Sequence, residues 1–198
     1  SPVCSNMRTM AAILAGGRSS RMGRSKALLP CGQGTLVDRM LSIVRATPVE
    51  EILISGTVPG YASVADVVPV LGPLGGIHSI LEKVGGESGP LQILFVPVDM
   101  PNLTPAVLER LLSADEKGAN EVVRYAMFEL PVVIRANPGV RRYLAERVQG
   151  GPDGSLSLRD FYRSFKTLAL SGDIPSWLFL NTNTPQEWQG FSHGRRDR

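Results

Sequence analysis

The stretch "MAAILAGGRSSRMGRSK" at residues 10–26 joins a short apolar run to a loop rich in glycine and basic residues. A continuous apolar run such as "MAAIL" (10–14) is typical of a strand that is buried on both faces of a parallel sheet. The loop that follows has three glycines, no acid and the cations Arg18, Arg21, Arg24 and Lys26. Two interpretations are open: a solvated basic loop, or a loop that binds phosphate through backbone N–H groups and cationic side chains.

The composition indicates an ordinary globular protein, with 198 residues, 43% hydrophobic residues and a net charge of +3. This length suits one domain with a sizeable core. We expect a single domain over residues 10–190, with flexible termini at 1–9 and 191–198. The basic clusters at 141–147 and at the end of the chain are predicted to be solvated, and no aromatic-interleaved basic stripe indicates a nucleic-acid partner.

Cysteine content and hydropathy predict a cytoplasmic protein. Cys4 and Cys31 are the two cysteines, and they form no CxxC pair. A reducing compartment is the simplest setting for such a sequence. No apolar run approaches the roughly 18–20 residues that are needed to cross a bilayer, so we predict no membrane partner.

Apolar runs alternate with helical patterns through the first 112 residues. Strands are predicted at residues 10–14, 51–55, 66–70 and 91–98. Helices are predicted to begin after the capping box of Thr35 and Asp38, to cover residues 74–84, and to begin again at Pro105. This order favours right-handed βαβ units, and hence an α/β fold with a mostly parallel sheet and helices on both faces.

The second half of the chain has a more mixed pattern. Strands are predicted at residues 121–125, 131–135, 166–170 and 177–181. Helices are predicted at residues 138–148 and 155–164, and a terminal helix is predicted to open at Thr184. Residues 113–177 therefore give little indication of function.

Two further features lie where an open α/β sheet binds its ligands, at the carboxyl ends of the strands. Asp99 ends the most hydrophobic strand, in "FVPVDMP", and a carboxylate there can hold Mg2+ against the phosphates of a nucleotide. The turn "LGPLGGI" (71–77) opens a helix and lets backbone approach a flat ligand. Taken alone, Asp99 also fits a solvated turn and 71–77 a plain Gly/Pro turn.

Candidate nucleophiles and bases are few. His78 lies inside a predicted helix and His193 near the end of the chain, and neither belongs to a recognisable triad. The loop matches neither a P-loop nor G-x-G-x-x-G, which argues against a Rossmann oxidoreductase. Basic groups with one metal-binding carboxylate and no general base fit phosphoryl or nucleotidyl transfer.

The motifs together resemble those of a known family. "LAGGRSSRMGRSK" is similar to the signature L-A-G-G-x-S-x-R-M-G-x-x-K of nucleotidyltransferases with a three-layer Rossmann-like fold, and more narrowly to molybdenum cofactor guanylyltransferases, the MobA family. "GPLGGI", "FVPVDMPNLTPAVLERL" and "FLNTNTPQEW" extend the match in the same order. The resemblance is good over residues 10–112 and 178–188 and loose over 113–177.

The resemblance implies roles for individual residues. Nucleotide contacts are implied for Leu14, Ala15, Gly16 and Gly17. Lys26 and Arg21 correspond to the lysine and arginine of the first motif. Asp99 corresponds to the ligand of Mg2+ and nucleotide. The two asparagines of the late motif, Asn181 and Asn183, are implied on the molybdopterin side.

The implied reaction is Mg2+-dependent transfer of GMP from GTP to molybdopterin with release of pyrophosphate, with possible transient contact to proteins that make or accept the cofactor. Two positions depart from the family. Ser55 stands where the family has Asn, and 67–70 lacks the family's acid, the nearest being Asp66. Transfer from CTP or to another phosphorylated acceptor therefore stays an alternative, as does a non-catalytic nucleotide-binding module.

Overall fold

The computed structural model describes residues 7–16, 25–68, 71–86, 89–150 and 157–182. The strands are β1 (Arg8–Leu14), β2 (Pro30–Cys31), β3 (Gly34–Thr35), β4 (Glu51–Ser55), β5 (Leu91–Pro97), β6 (Val122–Tyr125), β7 (Val132–Arg135) and β8 (Thr167–Leu170). The helices are α1 (Leu36–Arg45), α2 (Gly72–Lys83), α3 (Pro105–Ser113), α4 (Pro138–Gln149) and α5 (Leu158–Ser164). Short 3-10 helices cover Lys26–Leu28 and Ser176–Phe179.

Six of these strands form one sheet in the order β4-β1-β5-β7-β6-β8. β1 runs parallel to β4 and β5, and β6 runs parallel to β8, whereas β7 is antiparallel to both of its neighbours. Leu14 is in register with Ser55 on one side and Pro97 on the other. The carboxyl ends of the first three parallel strands therefore meet at one edge of the sheet, as the strand–helix alternation predicted.

Helices cover both faces of the sheet. The hydrophobic cluster on one face contains residues of α1 and α3, and the cluster on the other contains residues of α2, α4 and α5. β5 contributes to both, because Leu94 and Val96 face one layer while Ile93 and Phe95 face the other. A strand with two buried faces explains the continuous apolar run in its sequence.

The helix starts follow their local sequence signals. Thr35 and Asp38 form the predicted capping box, in which the Thr35 side chain accepts from Asp38 N–H and the Asp38 side chain accepts from Thr35 N–H. Thr104 caps α3 immediately before Pro105. α2 differs, because Leu71 at its N-cap provides no side-chain hydrogen bond. The N–H groups of its first turn are thus left to other partners.

Two predicted strands are wrong. Residues 66–68, the described part of the predicted strand at 66–70, are not in a strand, and the chain instead makes a single bridge between Val64 and Ser55. Val67 is 58% exposed, so its apolar character did not indicate a buried strand. The predicted strand at 177–181 instead contains a 3-10 helix in which Leu178 and Phe179 are both buried. In a half-buried strand, buried and exposed side chains would alternate.

Some predictions fall outside the described residues: the terminal helix from Thr184, most of the termini at 1–9 and 191–198, and so the limit of the domain at 190. These stay predictions. Within the described parts of the chain, no helix combines the length and apolarity that crossing a membrane requires.

Candidate active site

A pocket of about 770 Å³ opens at the carboxyl ends of β1 and β5. Its lining comes from the end of β1, the first 3-10 helix, the start of α2, the segment after β5, the loop between β6 and β7, the start of α5, and the segment around the second 3-10 helix. Six predicted site residues line it: Leu14, Ala15, Gly16, Lys26, Asp99 and Asn181. Gly17, Arg21 and Asn183, which were also predicted, lie outside the described residues.

The backbone after β1 forms one side of the pocket. Ala15 N–H donates to the carbonyl of Ser55, so this segment continues the parallel pairing with β4. Gly56 has φ +99°, and a Cβ there would lie 2.5 Å from the nitrogen of Gly16. Only glycine at position 56 allows the two backbone segments to approach so closely without displacing the one that faces the pocket.

Lys26 and Asp99 meet across the floor of the pocket. The Nζ of Lys26 lies 2.7 Å from Oδ2 of Asp99, and each side chain is about one-fifth exposed. Lys26 begins a 3-10 helix that is anchored by the buried Ala27, and Asp99 follows β5 by two residues. A cation and a carboxylate 73 residues apart are thus held together at the sheet edge.

The segment after the second 3-10 helix packs against Asp99. Thr182 is 2% exposed, and its N–H donates to the carbonyl of Asp99 over 2.9 Å. The side chain of Asn102 donates to the carbonyl of Trp177, which holds the other end of the segment. Asn181 is therefore fixed in the pocket wall by its neighbour Thr182, a residue that the sequence reasoning did not single out.

Asp66, which the sequence indicated only as the acid nearest to the position where the family has one, lies beside the pocket. A Cβ placed on Gly16 would lie 3.2 Å from Oδ2 of Asp66, so the carboxylate lies directly beside the pocket backbone. Its Oδ1 is buried and has no hydrogen-bond partner among the described residues. Burial raises the pKa of this carboxyl. One signal was available, because Asp66 is the only acid between Glu51 and Glu82 in the sequence.

Ser55 and α2 complete the side of the pocket near Asp66. The hydroxyl of Ser55 donates to the carbonyl of Gly76 over 3.3 Å, which ties the end of β4 to α2. Ser79 on the next turn donates to Gly75 and accepts from Val67 N–H. These contacts hold the segment that carries Asp66 against the first turns of α2.

The opposite wall of the pocket is mostly apolar. It is built by Met127, Phe128, Glu129, Leu130, Leu158, Phe179 and Leu180. The rings of Phe128 and Phe179 stack with centroids 3.9 Å apart. One half of the pocket thus offers backbone, cation and carboxylate, while the other half offers an apolar surface with one glutamate.

The described residues fit a divalent cation that is shared with a substrate. No group of three or more His, Cys, Asp or Glu side chains that could enclose a metal occurs among them. Mg2+ in nucleotide sites is commonly held by one or two carboxylates together with phosphate oxygens and water. Asp99, at the floor of the pocket, has the chemistry for such a site.

Comparison with known proteins identifies the family. The MobA-like NTP transferase domain matches residues 11–165, which include the end of β1, Lys26 and Asp99. The chain belongs to this family. It is therefore a nucleotidyltransferase, and the resemblance seen in the sequence motifs is confirmed.

Individual relatives extend this result. A molybdenum cofactor guanylyltransferase of Xanthomonas euvesicatoria pv. vesicatoria is 36% identical over 93% of this chain and 95% of its own length. The molybdopterin-guanine dinucleotide biosynthesis protein A of Archaeoglobus fulgidus superimposes with a TM-score of 0.70 at 18% identity, over 91% of this chain and 95% of that one. The Mycobacterium tuberculosis protein Rv0371C, solved in complex with manganese, has a TM-score of 0.62 at 20% identity, with coverage of 92% and 97%. The α/β nucleotidyltransferase fold is thus confirmed.

Proposed function

We propose that this enzyme transfers GMP from GTP to the terminal phosphate of molybdopterin and releases pyrophosphate. The observation that carries the proposal is the pairing of Lys26 with Asp99 beside the exposed backbone of Ala15 and Gly16, in a chain of the MobA-like family. The name of the Xanthomonas relative supports the choice of GTP and the molybdenum cofactor. The acceptor phosphate is already anionic, so the reaction needs no general base from the protein.

Lys26 and Asp99 have complementary tasks in this mechanism. Lys26 supplies positive charge at the phosphate chain, where negative charge develops as the bond to pyrophosphate breaks. Asp99, together with phosphate oxygens, would hold Mg2+, which supplies charge neutralisation and alignment of the phosphates when bound. Arg21 and Gly17 are proposed to contact the same phosphates, and Leu14, Ala15 and Gly16 the nucleotide.

Asp66 is proposed to contribute to recognition of the guanine base. Guanine presents two adjacent donors, N1–H and the 2-amino group, and a carboxylate accepts both in a paired arrangement. The buried Oδ1 of Asp66 has no donor among the described residues, which is the state that such a base would relieve. Asn181 and Asn183 are proposed to face the molybdopterin.

The proposal predicts that Asp99→Ala abolishes turnover while the fold persists. We expect pyrophosphate release with GTP, Mg2+ and molybdopterin to fall by at least about a hundredfold, the loss typical of removing one transition-state stabiliser. Asp173→Ala, at an exposed position between β8 and the second 3-10 helix, is the matched control and should keep wild-type turnover. Near-normal turnover in Asp99→Ala would refute the mechanism.

Nucleotide choice separates this proposal from its alternatives. Thermal-shift titrations with GTP, CTP, ATP and UTP in Mg2+ should give the largest stabilisation with GTP, because a ligand stabilises in proportion to ln(1 + [L]/Kd). A preference for CTP would favour the cytidylyl alternative. GTP binding without pyrophosphate release in the presence of acceptor would favour the non-catalytic module. The cytoplasmic location and the contacts with cofactor-handling proteins stay predictions.

A further inference from the structure

The topology gives the pocket two regions, on opposite sides of Asp99. Along this edge of the sheet the ends of β4 and β1 come first, β5 with Asp99 follows, and β7, β6 and β8 come after it. The phosphate-binding backbone lies on the β1 side. Three strand spacings, about 14 Å, separate β1 from β6. The loop between β6 and β7, residues 126–131, is therefore left to bind the acceptor.

Arg124 holds this loop from below. Its Nη1 donates to the carbonyls of Tyr125, Ala126 and Phe128 over 2.9, 3.1 and 3.2 Å. One guanidinium thus fixes three carbonyls of the same turn. The side chain of Met127 in this turn is 85% exposed. An exposed loop that is clamped so closely has a defined shape before any ligand arrives.

Tyr162 of α5 fixes the next carbonyl. Its hydroxyl donates to the carbonyl of Glu129, and its ring lies under the guanidinium of Arg124 at 5.2 Å from the centroid. Arg124 and Tyr162 therefore act as one support beneath the loop. They do not line the large pocket themselves, so any effect they have on substrate acts through the position of Glu129.

Glu129 is the charged group that this support presents to the pocket. Among the described residues, the charged side chains that line the pocket are Lys26, Asp99 and Glu129. The first two pair with each other, whereas the carboxylate of Glu129 accepts no hydrogen bond from any residue that the structure describes. On the side of this pocket Met127, Leu130 and Leu158 are apolar neighbours, whereas on its other side Glu129 lines a smaller pocket together with Arg124 and Arg159.

We propose that Glu129 recognises the amino-pyrimidinone edge of the acceptor's pterin ring, and that Arg124 and Tyr162 are its positioning residues. This inference rests on the proposed function. A pterin presents N3–H and the 2-amino group side by side, two donors that match the two oxygens of one carboxylate. The apolar wall accommodates the flat ring, and the acceptor phosphate extends from the ring towards Asp99.

The first test measures binding of molybdopterin by equilibrium dialysis without nucleotide. Glu129→Gln keeps the size of the side chain but replaces one acceptor oxygen with a donor. We expect the Kd for molybdopterin to rise about tenfold or more, as for loss of a charge-assisted hydrogen bond. Glu116→Gln, an exposed glutamate in the turn after α3, is the matched control and should bind like wild type.

Competition with two ring analogues tests the recognised edge itself. Pterin carries the 2-amino group, whereas lumazine has an oxo group there. The wild-type enzyme and Glu116→Gln should prefer pterin as a competitor, and Glu129→Gln should lose that preference. Tyr162→Phe, which removes the hydroxyl but keeps the ring, should weaken molybdopterin binding and leave the midpoint of a GTP titration unchanged.

The outcomes separate this inference from the proposed function. Equal Kd values for Glu129→Gln and Glu116→Gln, or equal competition by pterin and lumazine in the wild-type enzyme, would overturn the assignment of Glu129. Glu129-dependent binding of molybdopterin without pyrophosphate release from any nucleotide would instead refute guanylyl transfer and support the assignment. A shift of the GTP midpoint in Tyr162→Phe as large as the change for molybdopterin would overturn its positioning role.

Discussion

Two aspartates, Asp66 beside the pocket and Asp38 at the start of α1, have pKa values shifted in opposite directions. Burial raises the pKa of Asp66, whose Oδ1 lacks a donor among the described residues. Hydrogen bonds from the hydroxyl of Tyr61 and from Thr35 lower the pKa of Asp38. In the folded protein the charged form of Asp66 is therefore disfavoured and that of Asp38 favoured, relative to the unfolded chain.

The raised pKa of Asp66 predicts that Asp66→Asn increases the Tm, by an amount that depends on pH. A raised folded pKa means that the folded state holds the proton more tightly, so stability falls as pH rises from the ordinary aspartate value through the folded value. Above that window Asp66→Asn should have a higher Tm than wild type, and the difference should vanish as pH falls towards about 4. The variant should also lose stabilisation by GTP. Calorimetry across this pH range, with and without GTP, checks both expectations.

Asp38→Asn is a control for which the expected change in Tm has the opposite sign. A lowered folded pKa gives stability that is present above the unfolded value and is lost as pH falls through the folded value. The variant should therefore have a lower Tm than wild type at neutral pH, and the two should converge in acid. A Tm for Asp66→Asn below that of wild type at pH 7 would contradict the interpretation of its burial.

The site residues differ in how far the sequence could predict them. Lys26 and Asp99 could be predicted because each follows a clear signal, a glycine-rich loop or a buried strand, and parallel strands bring such positions together. Asp66 could be named only as the nearest acid, and its position beside the pocket could not be predicted, because that depends on where an irregular segment passes Gly16. Glu129 had no local signal, since its loop is positioned by Arg124, in the strand that directly precedes it, and by Tyr162, which lies 33 residues after Glu129 in the chain.

At the scale of elements, α2 packs so closely on the sheet that it needs glycine. A Cβ on Gly76 would lie 2.8 Å from Oγ of Ser55 and 3.1 Å from Cδ2 of Leu14, and both neighbours are buried. Gly76→Ala must therefore turn the Ser55 hydroxyl from its hydrogen bond to Gly76 or move α2 away from the ends of β1 and β4. Those two strand ends form the side of the pocket that is proposed to bind the nucleotide.

We expect Gly76→Ala to cost about 1–3 kcal/mol of unfolding free energy, the usual range for overpacking, and to weaken GTP binding. Gly139→Ala in the first turn of α4 is the matched control. Its Cβ would meet a single atom, Oδ1 of Asn137, at 3.4 Å, so it should be neutral or stabilise by up to about 1 kcal/mol. Urea denaturation and GTP titration measure both effects. Equal stability of the two variants would contradict the close packing of α2.

The two wrong strands show why element type is hard to predict at the pocket. "WLFLN" forms a 3-10 helix because Leu178 and Phe179 both enter the core and Thr182 must reach the carbonyl of Asp99. These are tertiary contacts, which cannot be predicted from a short apolar run. The strands and helices away from the pocket follow their hydrophobic period and caps, which are local properties.

At the scale of the whole molecule, stability depends on a sheet that is buried on both faces. Phe95 in β5 is fully buried between the sheet and the layer of α2, α4 and α5. Its strand is paired with a neighbour on each side, which limits how far the sheet can move to fill a cavity. The centre of the molecule should therefore tolerate loss of volume poorly.

Phe95→Ala should lower the unfolding free energy by about 3–5 kcal/mol, a large share of the 5–15 kcal/mol typical of a domain. Phe95→Leu, which keeps most of the volume, should cost less than about 1.5 kcal/mol. Denaturant titrations measure both values. A loss in Phe95→Ala no larger than in Phe95→Leu would mean that the layers can close over the cavity.

The hydrogen bond from Thr182 N–H to the carbonyl of Asp99 has a consequence for the order of events during synthesis. These residues are 83 positions apart in the sequence. At 5–20 residues per second, roughly 4–17 s pass between their additions to the chain. Throughout that interval the nascent protein has Lys26 and Asp99 but no Asn181 and no stacking partner for Phe128. The wall that Phe179 and Asn181 form is therefore among the last parts of the pocket to be added to the chain, so the proposed transfer can begin only when synthesis is almost finished.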